Sequence, residues 1–283
     1  MVRSVLEVRI QDAALNPALT VLCAGYEMEV WRAPELVDDL FSRHLTSFAL
    51  SFTEFNSIDG ETAARALRRS AEMVYGTDKY RRRGEFGELI LHAALIDFFG
   101  ATPAVSKIYY KDSDNDTVKG FDSVHVVGRH DGELEVWLGE AKFYKDLSGA
   151  ITEAVKSIED HLERNFLRRE FIAITNKVDA TWPHADAFRG LLDGAASLDE
   201  IAKSLVIPVL ITYESVSVAS HKVVDDAYKS ALEAEVRTAW KAFSEKELKT
   251  KLTITLQLIL LPLESKDRLI GLMHEKLKVW QHI

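Results

Sequence analysis

The chain has 283 residues, 47% hydrophobic and 28% charged, with a net charge of −9 from 35 Lys+Arg against 44 Asp+Glu. That length suits one large domain or two small ones with an ample core, and the acidic balance argues against an unaided DNA binder. The single cysteine, Cys23, excludes an internal disulfide and fits a reducing cytoplasm as a small buried hydrophobe. No apolar run reaches membrane-spanning length, and Met1-Val2-Arg3-Ser4 leads into a mixed segment with Glu7 and Asp12 rather than a signal peptide, so the expected location is cytoplasmic.

Residues 1–75 mix strand-like runs at 19–22 and 28–31 with helix-like segments around 35–45 and 61–74, and read as a cap or partner-binding region. Residues 83–99 form a helix in which Phe86, Leu89, Ile90 and Ala93 make an apolar stripe, with Glu85, Glu88 and His92 on another side and Gly100 as its stop. Glu85 suits the first turn as a complement to the helix dipole, whereas Glu88 lies deeper and is the better member of an acidic cluster. His92 reads as a packed or surface histidine rather than a ligand. The acidic run 112–116 resembles a calcium loop, but Thr117 and Ser123 stand where an EF-hand starting at Asp112 needs glycine and glutamate.

Two strands follow at 121–127 and 134–143. Next comes a helix capped by Ser148 that carries Ile151, Ala154, Val155, Ile158 and Leu162. Strands are expected at 171–175 and 206–213, with Pro208 best placed at a strand start or edge, and helices at 185–192 and 198–205 between them. A charged helix at 222–247 precedes an alternating strand from 252 to about 261, ended by Pro262. An amphipathic helix at 265–281 follows. The economical architecture is α/β, a central mixed sheet flanked by helices.

The chemistry concentrates in the strand pair. Alternation puts Asp122, Val124 and Val126 on one face of the first strand, and Leu134, Val136, Leu138, Glu140 and Lys142 on one face of the second. A hairpin pairing 126 with 136, 124 with 138 and 122 with 140 would set the Asp122 and Glu140 Cβ atoms about 5 Å apart. Lys142 would lie one pleat further on, roughly 7 Å along the strand. Inward carboxylates need a partner. A hard divalent cation such as Mg²⁺ supplies one, and Lys142 can steady a phosphate or a metal-bound hydroxide. Cations flank this stretch: Lys79, Arg81, Arg82 and Arg83 before the helix, Lys107, Lys111, Lys119, Lys142 and Lys145 around the hairpin, and Arg164, Arg168 and Arg169 beyond it.

A helix acid, a strand aspartate and then Glu-x-Lys is the order found in the PD-(D/E)xK nuclease superfamily. More narrowly, the chain resembles the HamA family, the nuclease subunits of Hachiman anti-phage defence. The resembling stretches are 22–27, 83–89, 106–112, 119–125, 139–143 and 258–262, within a likeness that runs from about residue 20 to the C-terminus. The resemblance implies a restriction-endonuclease-like domain over 76–283 and a Mg²⁺-dependent DNA nuclease, with Mn²⁺ as a substitute. It further implies a HamB-like superfamily 2 helicase as partner. By the match of motifs, Glu140 and Lys142 would be the catalytic pair and Asp122 a metal ligand. Glu88 would be the helix acid, a role for which Glu85 competes. The alternatives are a non-catalytic binding subunit with a nuclease-like fold and a self-sufficient restriction endonuclease.

Overall fold

The structure, a computed structural model, describes residues 3–74, 84–106, 120–129 and 132–283. The basic residues at 79, 81–83, 107, 111 and 119 and the acidic run 112–116 lie outside them. Strands β1 (Glu7–Asp12) and β2 (Ala18–Cys23) come first, then a small ribbon of β3 (Tyr26–Glu27) and β4 (Val30–Trp31). Helices α1 (Ala33–Ala49), α2 (Phe52–Asn56), α3 (Ala63–Val74) and α4 (Glu85–Phe99) follow. The middle of the chain holds β5 (Thr102–Val105), β6 (Ser123–Gly128), β7 (Leu134–Phe143), α5 (Leu147–His161), α6 (Arg164–Lys177), α7 (Ala185–Leu191) and α8 (Leu198–Ala202). Then come β8 (Leu205–Glu214), α9 (Val216–Ser220), α10 (Asp226–Ser244), β9 (Thr255–Leu263) and α11 (Lys266–Trp280).

Among the described residues the main sheet has seven strands in the order β1-β2-β9-β8-β7-β6-β5. Strands β2, β9, β8 and β7 run parallel to their neighbours, while β1 and the β7-β6-β5 meander are antiparallel. The expected mixed sheet flanked by helices is thus the observed one. The first 75 residues supply two of its strands, and one apolar cluster runs from Leu22 and Phe41 to Leu210 and Leu261. The alternating apolar residues of β6 and β7 fix their register: Val124 faces Leu138 and Val126 faces Val136, as the pattern requires.

Four local expectations need correction. Residues 171–175 lie in α6, not in a strand. Leu167, Phe171 and Ile174 recur at helical spacing and are buried, while Ile172 within the same run is 59% exposed. Pro208 sits inside β8, between β7 and β9. The β7–β8 ladder passes from Trp137↔Val206 to Glu140↔Val209, and the gap falls where proline has no N–H to give. Pro262 does not end β9, which continues to Leu263. The cap of α5 is Asp146, whose carboxylate accepts from the Gly149 amide at 2.6 Å, and Ser148 is already helical.

Helices cover both faces of β7. On one face a Cβ added to Gly87 of α4 would meet the Phe143 Cβ at 2.9 Å and the Ala141 Cβ at 3.7 Å. On the other, Ser157 and His161 of α5 reach the even-numbered residues. No helix among the described residues is long and apolar enough to cross a membrane.

Candidate functional site

Glu140 lies deep in the sheet, 2% exposed, because β7 is covered on both faces. Its Oε1 accepts a hydrogen bond from Lys142 Nζ at 2.6 Å, and the same ammonium donates to Ser157 Oγ at 2.9 Å. Its Oε2 stands 3.3 Å from His161 Nδ1, an ion-pair distance at which neither atom makes an aligned hydrogen bond. Burial pushes the Glu140 carboxyl up, but the adjacent His161 and Lys142 outweigh it and hold the group below the ordinary glutamate value. The side chain is therefore ionised at neutral pH. The His161 ring is held between Phe166, stacked at 5.0 Å, and Phe121 at 4.7 Å.

Asp122 does not continue the ladder. Its N–H donates to the Gly139 carbonyl at 2.8 Å, and its Oδ2 accepts from the Ala141 amide at 2.9 Å. The carboxylate is thus fastened to the backbone between Glu140 and Lys142. Asp122 also lines a small closed space with Ser47, His92, Ser123 and His125, on the side of the sheet where α4 packs. There His125 Nε2 and His92 Nδ1 are 3.0 Å apart, and His92 Nε2 lies 2.9 Å from Ser47 Oγ. Burial drives His125 down to about 3 and, with the neighbouring histidines, drives His92 well below its usual value, so both rings are neutral. Glu85 and Glu88 are both buried in the first turn of α4. Of the two settings expected for His92, packed or surface, the structure shows the packed one.

The structure therefore gathers Asp122, Glu140 and Lys142 around one peptide unit. Glu88 and Glu85 stand on the helix that covers the opposite face of β7 from Glu140. Sequence reading missed His161 and Ser157. They lie four apart in a segment correctly expected to be helical, but only the crossover from β7 through α5 to β8 turns that side of the helix toward Glu140.

A family match covers residues 2–277, nearly the whole chain. The chain belongs to the HamA family. No curated protein matches it. HamA membership points to a Hachiman defence protein, and three of the stretches that carried the likeness have described residues at the candidate site, whereas 107–112 lies outside the described residues. Residues 84–89 open α4, 120–125 enter β6, and 139–143 end β7.

The carboxylates of Asp122 and Glu140 are of the kind a hard divalent cation takes, whereas Glu88 stands on the helix over the other face of β7 and is not brought beside them. Glu140 Oε2, buried and 3.3 Å from His161 Nδ1, makes no aligned hydrogen bond. As the side chains stand, no three His, Cys, Asp or Glu among the described residues are grouped closely enough to hold a metal.

Proposed function

We propose that this HamA-family protein is a metal-dependent deoxyribonuclease of a Hachiman defence complex. The observation that carries the reading is the ionised, buried Glu140 bonded to Lys142, with Asp122 fastened to the amide between them. Asp122 and Glu140, with Glu88 as the helix acid, would hold Mg²⁺ or Mn²⁺. Such an ion lowers the pKa of bound water and neutralises charge developing on a phosphate. Lys142 orients the attacking water or steadies the phosphate oxygens, while Ser157 fixes the ammonium. Water adds to phosphorus and the P–O bond to the leaving oxygen breaks. The net charge of −9 favours delivery to DNA by a partner, and a superfamily 2 helicase is the partner proposed.

The test is cleavage of plasmid and linear DNA with Mg²⁺, alone and with the helicase, by wild type beside Glu140→Ala/Lys142→Ala. Cleavage confined to wild type supports the assignment, and equal cutting by both proteins sinks it. A non-catalytic binding subunit is the second reading, favoured because Lys142 and His161 already engage the two oxygens of Glu140. No cleavage by the folded, helicase-bound protein under any condition would select it.

A further inference from the structure

We infer that an open cavity of about 620 Å³ at the C-terminal end of α5 holds a phosphate of the bound nucleic-acid strand. Its walls are the α5–α6 junction, the start of α8 and the segment at 249–252 that leads into β9. The volume falls in the range of ordinary ligand clefts. Four cations line it: Arg168 donates to the Gly194 and Ala196 carbonyls, whereas no hydrogen bond or ion pair among the described residues occupies the side chains of Arg164, Lys249 and Lys251.

The acids on the same wall are differently placed. Glu159 accepts from the Lys249 backbone N–H at 2.9 Å, and Glu163 is tied to the Phe166 N–H at 2.9 Å as the cap of α6. Both still carry a negative charge, so with Asp199 three carboxylates face four cations and the wall keeps one positive charge in excess, with the free cation heads as the groups open to a phosphate. Leu162, Leu198 and Leu252 add apolar surface, which suits the base or sugar of a nucleotide whose phosphate meets the cations.

Position supports the same ligand. Helix α5 turns Ser157 and His161 toward Lys142 and Glu140, and one residue later Leu162 lines the cavity. A strand seated there approaches the carboxylate along the helix that backs it. The inference rests on the nuclease reading for the source of the phosphate, since a free nucleotide carries the same chemistry.

The experiment measures binding in EDTA, where hydrolysis cannot interfere, and at low salt, where phosphate contacts outweigh the repulsion of an acidic chain, of a fluorescein-labelled single-stranded oligonucleotide and of AMP. Wild type is compared with Arg164→Glu/Lys249→Glu/Lys251→Glu. A control reverses three other exposed lysines, Lys222→Glu/Lys229→Glu/Lys241→Glu, which sit in surface ion pairs. Circular dichroism confirms that all three proteins are folded. The expected result is oligonucleotide binding weakened at least about tenfold in the cavity variant only, with the log–log salt slope smaller by about 2. AMP binding as tightly as the oligonucleotide, and lost in the same variant, would overturn the strand in favour of a free nucleotide. Equal oligonucleotide binding by wild type and the cavity variant, equal weakening in the control, or no binding by wild type would overturn the site. Cleavage by Glu140→Gln in Mg²⁺, run separately, tests the nuclease reading without touching these cations.

Discussion

His161 Nδ1 points at Glu140 Oε2 from 3.3 Å, and two phenylalanine rings leave the imidazole little room to turn away. This contact restricts the one carboxylate oxygen that Lys142 does not hold, so His161 and Lys142 together set the orientation of the Glu140 carboxylate.

His161→Phe keeps an aromatic ring between Phe121 and Phe166 but removes the nitrogen. If Glu140 is a ligand, the variant should stay folded and lose about 10- to 100-fold in Mg²⁺ affinity, the usual cost of removing a partner that orients a ligand. Isothermal titration with Mg²⁺ and cleavage rates across Mg²⁺ concentration check this. An unchanged Mg²⁺ dependence would deny His161 any positioning role.

Lys142→Met strands a buried carboxylate. Losing one member of a buried pair costs about 3–5 kcal/mol, whereas replacing both members is far milder. Urea unfolding should therefore show Lys142→Met less stable than Glu140→Gln/Lys142→Met. The reverse order would mean that the pair contributes little to the fold.

Gly139 is the contact point of β6, β7 and α4. An added Cβ would overlap Ser123 Oγ and approach Leu91 Cδ2 to 2.7 Å. Gly139→Ala should cost about 1–3 kcal/mol as an overpacked core site. Ser123 Oγ is buried without a hydrogen bond, so adding Ser123→Ala removes one clash without breaking a bond and should recover part of the loss. Thermal unfolding of the single and double variants would decide it; no recovery would place the strain at Leu91.

Acid should weaken the fold through His92 and His125. Both are held neutral by burial, with His125 near 3 against an ordinary 6.5. A depressed folded pKa means that the unfolded chain binds the proton first. The stability is therefore complete above about pH 6.5 and falls as pH drops toward 3, by about 1.4 kcal/mol per unit for each ring. His125→Asn keeps a polar neighbour for His92 but cannot titrate. Urea unfolding between pH 7.5 and 5 should show a shallower slope in that variant, and parallel slopes would refute the account.

Much of this was legible in the residues. Alternation in 124–126 and 134–138 set the hairpin register, and helical spacing in 86–93 and 151–158 set the two helices that cover it. What failed turned mostly on residues outside the segment in question, although Asp146 as the cap of α5 is a local signal. The apolar run 171–175 reads equally as strand or helix until its neighbours at Leu167 and Val178 are seen to be buried with it. Pro208 was judged by the general rule for central strands, which a ladder gap at the adjacent positions satisfies in another way. Asp122 was assigned the face its parity dictates, but it lies just before β6, where the backbone is free to turn its carboxylate onto the Ala141 amide. Which helix covers which face of β7 depends on crossovers that no single segment encodes.

The parallel pairing of β2 with β9 sets an order of events during synthesis. Residues 18–21 find their partners at 257–260, so the hairpin of β1 and β2 leaves the ribosome with one edge open and waits for nearly all the later segments. Long-range pairing of this kind is slow to form. Glu140 and Lys142 emerge well before that edge closes, and β8, the strand that seats Glu140 against Val209, also lies downstream of them. A nascent chain therefore carries Glu140 and Lys142 while the sheet that positions them is still incomplete, so the proposed site is among the last features of the fold to be assembled.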